Sequence, residues 1–296
     1  MVKQKVFIDE ELNKQFEQEG YIIINDFLED QEIETLKEAC HSFDSKVGTE
    51  FYTSFWSPDK AYRLKTHNLI SEVMMKKTKK LLIEYFPLVC DFFVKHPGKN
   101  SDLGLHQDWK FVDEPDYTSV VVWCPLVETN EANGAIELIK RSHLFFEGPR
   151  GANIPPRFHE IKDYVARHYL TPAYLKPGQA IIFDHRIIHG SKPNFSEYDR
   201  LAAGMIMAPE QASLFHYHYN RTTGHVHKIN VPRDYFQNYN YNADFIEKLM
   251  LDDITLPPWG NCVDKIPYTI PSTSKEEFDN LYAKFNHPKG VLTKKH

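Results

Sequence analysis

The chain has 296 residues, with 35 Lys and Arg against 41 Asp and Glu, giving a formal charge of −6. An acidic balance argues against a nucleic-acid partner, because phosphate recognition draws on a basic face. With 42% hydrophobic, 14% aromatic and 26% charged residues, the composition excludes disordered and collagenous chains and supplies enough apolar side chains for a sizeable core.

In chain order, Asp9 stands where it can cap a short helix whose Leu12 and Phe16 are four apart, and Gly20 occupies the helix-stop position. Residues 21–24 read as a strand, and Asp30 opens a second helix with Ile33, Leu36 and Cys40 on one stripe. After extended sequence around 51–56, a third helix is predicted over roughly 69–85. From Leu88 onward the texture changes to short β-rich runs between turn clusters, at 88–94, 119–126, 135–139, 180–183, 201–207 and 213–219. That spacing predicts a sandwich or jelly roll. A helical insertion over about 161–168 interrupts the runs, and a short amphipathic helix near 275–285 follows a segment rich in Tyr, Asn and Pro. Without repeats or a long linker, one domain over 1–296 is expected. It has a helical part at about 1–86, a jelly-roll core at about 87–220 and an aromatic-rich extension at about 221–296.

No run reaches the about 18 apolar residues of a membrane span, so no membrane partner is expected. The N-terminus turns acidic at Asp9 and Glu10 before any signal-like apolar stretch forms. Cys40, Cys90, Cys124 and Cys262 lie far apart with no CxxC pair and read as free thiols in a reducing, cytoplasmic compartment.

The segment Leu105-His106-Gln107-Asp108-Trp109 carries the chemistry. On a strand, residues i and i+2 share a face, so His106 and Asp108 can converge on one metal ion. Alone, such a triplet is weak. A third ligand candidate, His189, stands in Ile187-Ile188-His189-Gly190-Ser191, beyond the turn Pro177-Gly178 and the run at 180–183. Two imidazoles and one carboxylate on one face of a metal leave its other positions open, as in non-haem Fe(II) oxygenases. Eleven residues later comes Arg200. If the polar run at 191–199 turns the chain, Arg200 starts a neighbouring antiparallel strand and can hold a ligand carboxylate bidentately.

Other signals have plainer readings. His185 competes with His189 for the ligand role, and His216-x-His218 with His225-x-His227 suggests a second metal site, but aromatic neighbours favour an ordinary strand. Lys76, Lys77, Lys79 and Lys80 read as a solvated helix face, and His143 as structural. Arg150 either binds a substrate anion from a loop or sits in an exposed turn. Asp113, Glu114 and Asp116 read as a solvated loop, and the segment 235–241 as a pocket wall or as surface packing.

Taken together, Leu105-His106-Gln107-Asp108, Val122-Trp123-Cys124-Pro125-Leu126, Asn133-Gly134, Ser142-His143, Pro177-Gly178, His189-Gly190-Ser191 and Arg200 resemble the phytanoyl-CoA dioxygenase family of Fe(II)- and 2-oxoglutarate-dependent oxygenases. The resemblance covers roughly residues 20–209. It implies a mainly β fold, a double-stranded β-helix or cupin-like jelly roll with flanking α-helices. It further implies Fe(II) on His106, Asp108 and His189, and the distal carboxylate of 2-oxoglutarate on Arg200. Ser191 and Trp123 match further co-substrate contacts, with O2 as the other reactant. The implied reaction hydroxylates a small molecule with release of succinate and CO2. Related halogenases resemble this pattern with a small residue in place of the carboxylate, so Asp108 argues against halogenation. The alternatives are a non-catalytic β-sandwich that binds a ligand, and a zinc-type hydrolase using the same triad, which leaves Arg200 without a role. No uncovered apolar stripe announces an interface, so monomer and homodimer both stay open.

Overall fold

A computed structural model describes residues 3–42, 50–238 and 261–286. Helix α1 (Glu10–Glu19) starts at Asp9, whose carboxylate accepts the backbone N–H groups of Glu11 and Leu12, and stops at Gly20 with φ +83°. Strand β1 (Tyr21–Ile24), helix α2 (Asp30–Ser42) and the short strand β2 (Phe51–Thr53) follow. Helix α3 (Lys60–Thr78) begins nine residues before the predicted start of 69 and ends before the predicted 85. The physical reason is its buried face, which includes Arg63, Thr66 and Thr78 beside Ile70, Val73 and Met74, so apolar periodicity marks only half the helix. Its true start is marked by Asp59, which caps Ala61 and Tyr62.

The strands are β3 (Tyr85–Lys95), β4 (Leu103–His106), β5 (Val120–Pro125) and β6 (Ile136–Leu138), then, after helix α4 (Lys162–Tyr169), β7 (Thr171–Ala173), β8 (Ala180–Asp184), β9 (His189–Ser191) and β10 (Arg200–Pro209). Beyond them come β11 (Phe215–Asn220), β12 (His225–Asn230), the single turn α5 (Tyr235–Asn238), β13 (Asn261–Pro267) and α6 (Lys275–Asn286). Three antiparallel sheets result, ordered β1-β8-β5-β10-β3-β2, β4-β9-β6-β7 and β11-β12-β13.

Strand β5 shows how the layers form. All six of its residues are buried. Val120, Val122 and Cys124 face α1, α2 and α3 in a cluster with Phe16, Leu36, Ile70 and Met74. Val121 and Trp123 face the other way, packing with Ile181, Phe183 and Ala202 of the large sheet and with Ile136 and Leu138 of the four-stranded sheet. A strand covered on both faces reads as a continuous apolar run instead of an alternating one, as Val120-Val121-Val122-Trp123-Cys124 does. The two facing sheets are the jelly roll, with helices packed outside. No described helix is long and apolar enough to cross a membrane.

Candidate metal centre

His106, at the end of β4, lies directly opposite His189, at the start of β9, where an irregularity shifts the register of the pair. Their ring centroids stand 4.3 Å apart. Asp108 follows two residues on, held by its own N–H donating to the His185 carbonyl at 2.9 Å. Ligand atoms of His106, Asp108 and His189 all lie within 4.8 Å of one another, and they are the one such group of three or more among the described residues.

Each imidazole is locked by a backbone carbonyl. His106 Nδ1 lies 2.7 Å from the Gly104 oxygen and His189 Nδ1 lies 3.0 Å from the Ile187 oxygen. A carbonyl only accepts, so both Nδ1 atoms carry the hydrogen, leaving both Nε2 lone pairs for a metal. Burial, and then His189, push the His106 imidazole down to about 4, which keeps it neutral. Burial works to raise the Asp108 carboxyl, but His189, His185 and His106 outweigh it and hold the group below its usual value. Asp108 Oδ2 is buried without a hydrogen-bond partner. Two imidazole nitrogen donors and a carboxylate with an uncommitted oxygen suit a divalent transition metal.

Beside the triad lies a cavity of about 100 Å³, bordered by Asp108, His189, Trp123, Ser191, Arg200 and Phe183. Arg200 opens β10 of the large sheet and not a neighbour of β9, which starts with His189 in the facing sheet; it is only 3% exposed and lies over the Trp123 ring at 5.4 Å. Its Nε and Nη1 are buried with no hydrogen-bond partner. An uncompensated buried guanidinium is costly; here two orphan donors and an orphan carboxylate oxygen belong to residues that border one cavity, which fits an anionic ligand that also reaches the metal.

All six residues singled out by sequence, His106, Asp108, His189, Arg200, Ser191 and Trp123, therefore border this one cavity. Arg150 is no exposed turn: as its other reading expected, it borders a cavity beside His106, but with its charge already paired. Its guanidinium is neither spare nor exposed: Nη2 and Nη1 hold Glu114 at 2.5 and 3.2 Å, and Nε donates to the Asp108 carbonyl at 2.8 Å. Glu114 is correspondingly no solvated loop acid, its side chain being 12% exposed. His185 is buried with Nδ1 on the Trp109 carbonyl at 3.2 Å, outside the triad. His143 packs structurally, with Nε2 3.0 Å from the Glu17 carbonyl. His218 and His227 pair across β11 and β12, and no third ligand type joins them among the described residues. Tyr235 and Phe236 are buried, with Phe236 against Trp109 and Phe111, whereas 239–241 lie outside the described residues. Sequence reasoning missed the apolar walls Phe51 and Phe93 and the buried Lys95, for which the one signal is a lysine ending the run Phe92-Phe93-Val94-Lys95.

A family model described as phytanoyl-CoA dioxygenase matches residues 16–202. The chain belongs to the phytanoyl-CoA dioxygenase family. It is thus an iron- and 2-oxoglutarate-dependent oxygenase in class, and the His-Asp-His group supplies a donor set for the metal such an enzyme requires. No curated protein sequence matches the chain. Among solved structures, the non-haem α-ketoglutarate-dependent carbocyclase SnoK from nogalamycin biosynthesis is similar at 16% identity, covering 70% of this chain and 86% of its own, with a TM-score of 0.53. HygX from Streptomyces hygroscopicus, with nickel and 2-oxoglutarate bound, is similar at 15% identity over 69% of this chain and 88% of its own, with a TM-score of 0.52. Both likenesses are of fold, and they agree with the jelly-roll core of the family member described here.

Proposed function

We propose that this family member works as one oxygenase domain that hydroxylates a small molecule, with Fe(II) held by His106, Asp108 and His189. Bound there with 2-oxoglutarate, the metal supplies O2 activation coupled to loss of CO2 and formation of succinate. The chain supplies placement. Gly104 and Ile187 carbonyls fix the two imidazoles, while Arg150 and the His185 carbonyl hold the backbone of Asp108. Arg200 receives the distal carboxylate of 2-oxoglutarate, with Ser191 and Trp123 against it. Phe51, Phe93 and Phe183 exclude water from that side. The observation that carries the reading is that Arg200, with two orphaned buried donors, borders the same cavity of about 100 Å³ as the triad.

A second cavity of about 170 Å³ also borders His106 and is walled by Trp109, Phe146, Arg157 and Tyr268, which suits it to the substrate. Its walls combine aromatic rings with charges of both signs, Arg150 and Arg157 against Glu147. The test is succinate formation from 2-oxoglutarate by Fe(II)-loaded protein on admitting air, comparing wild type with His106→Ala and Arg200→Ala. Succinate from wild type, none from His106→Ala and a much higher 2-oxoglutarate requirement for Arg200→Ala are expected. Loss of Fe(II) and 2-oxoglutarate binding in wild type would refute the assignment and favour the non-catalytic sandwich. A substrate screen read by mass gain of one oxygen then identifies the compound hydroxylated.

A further inference from the structure

Lys95, the last residue of β3, has no exposed surface. Phe51, Lys95 and Arg200 form one row across β2, β3 and β10, and directly opposed residues of antiparallel strands share a face. Phe51 and Arg200 border the cavity beside the triad, and the lysine between them lies on the same face of the sheet, behind the cavity wall. Its ammonium crosses to the facing sheet and donates to the Lys192 carbonyl at 2.6 Å and the Ser191 carbonyl at 3.3 Å. Gly134, with φ +71°, closes the third side: a Cβ there would lie 2.3 Å from the Lys192 oxygen and 3.3 Å from the Lys95 Nζ. The charged groups facing the amine are Arg200 from β10, Asp102 from the approach to β4 and Glu137 from β6. None of the described carboxylates reaches ion-pair distance of it, and the Glu137 carboxylate is engaged by Lys192 at 3.1 Å.

Two buried cations without a counter-ion destabilise each other. Burial lowers the Arg200 guanidinium as well, but an arginine gives up its proton far less readily than a lysine, so the lysine is the group that yields. Burial first, and then Arg200, push the Lys95 amine down to about 7.

We propose that Lys95 is the second cation of the co-substrate pocket and takes up a proton from solvent as the distal carboxylate of 2-oxoglutarate settles on Arg200. The inference rests on the assignment of Arg200 made above. The incoming carboxylate brings the counter-charge that the pair lacks, and the two carbonyls already aim the amine that receives the proton. Lys95 is also a positioning residue, since the same two hydrogen bonds hold Ser191 and the end of the strand that carries His189.

The test is anaerobic calorimetry of Fe(II)-loaded full-length protein with 2-oxoglutarate, in buffers of different ionisation enthalpy, at pH 7 to 9. Wild type is expected to take up about nine-tenths of a proton at pH 8, and its Kd for 2-oxoglutarate to weaken close to tenfold per pH unit above pH 8. Lys95→Met should lose that uptake and bind 2-oxoglutarate on the order of tenfold more weakly. Lys95→Arg should lose the uptake yet keep the affinity across the range, which separates charge from folding. Uptake that persists in Lys95→Met or Lys95→Arg would overturn the proposal. So would a wild-type Kd that is flat across this range, a result that needs no variant to fold. Wild type that binds Fe(II) but no 2-oxoglutarate would overturn the Arg200 assignment itself, whereas binding without proton uptake overturns only the role of Lys95.

Discussion

Replacing Arg150 with Met tests how the chain holds Asp108 in place. The Arg150 and Glu114 side chains are 11% and 12% exposed, and the pair is bidentate, so solvent screens it little. Removing one partner of a buried pair costs about 3–5 kcal/mol, chiefly because the other charge stays buried. Lys110 remains 3.7 Å from Glu114 and recovers part of that, which brings the expected loss to about 2–4 kcal/mol. Met fills most of the vacated volume, so the figure reflects charge more than a cavity. The assay is urea denaturation of metal-free protein, with Glu114→Gln and the double variant completing a cycle whose coupling should be about 2 kcal/mol. Arg150 also donates to the Asp108 carbonyl, so Fe(II) affinity should fall roughly 10–100-fold. Burial works to raise the Glu114 carboxyl, but Arg150 holds it below its usual value. A depressed carboxyl contributes stability above its unfolded pKa and loses it as pH falls through the lower folded one, so the gap between wild type and Arg150→Met should close in acid. A variant within about 0.5 kcal/mol of wild type that binds Fe(II) equally well would refute the argument.

Three further outcomes are expected. Fe(II) at about a hundredfold above its Kd should stabilise wild type by about 2.7 kcal/mol, read as a thermal shift that a chelator reverses and that His106→Ala or Asp108→Ala abolishes. Asp91 on β3 accepts the Thr53 and Ser54 hydroxyls and the Phe55 N–H, yet burial pushes its carboxyl up to about 7. The fold therefore keeps a proton that the unfolded chain releases near its ordinary value of 3.8, stability falls as pH rises between those values, and Asp91→Asn should flatten that slope in denaturation midpoints. Gly134→Ala should destabilise by about 1–3 kcal/mol and weaken 2-oxoglutarate binding in calorimetry, because its positive φ and the Lys192 carbonyl leave no room for a Cβ.

Local signals were legible where one residue type has one use. Asp9 and Gly20 bound α1 as read, because a cap and a left-handed stop act over a single turn. The start of α3 was not legible: Arg63 and Thr66 are buried polar residues, and their burial depends on what packs above them. The three-residue strand β7 was likewise hidden, since it exists through its pairing with β6. Arg150 shows the limit at the site, as nothing local says that its guanidinium is committed to Glu114 and the Asp108 carbonyl.

The amino-acid sequence by itself determined the donor chemistry: two imidazoles, a carboxylate and an arginine in a fixed order, all within the stretch that the phytanoyl-CoA dioxygenase model matches. Side-chain chemistry is a local property, so it survives without a fold, whereas the strand alternation expected to align His106 with Asp108 does not apply, because β4 ends at His106. Tertiary structure alone decided which imidazole nitrogen is free, because the Gly104 and Ile187 carbonyls make that choice in the folded strands. It also decided that Lys95 stands beside Arg200, since residues 95 and 200 meet only through the antiparallel register of β3 and β10. A buried charge takes its meaning from its neighbours, and those neighbours are brought together by sheet pairing across a hundred residues of chain.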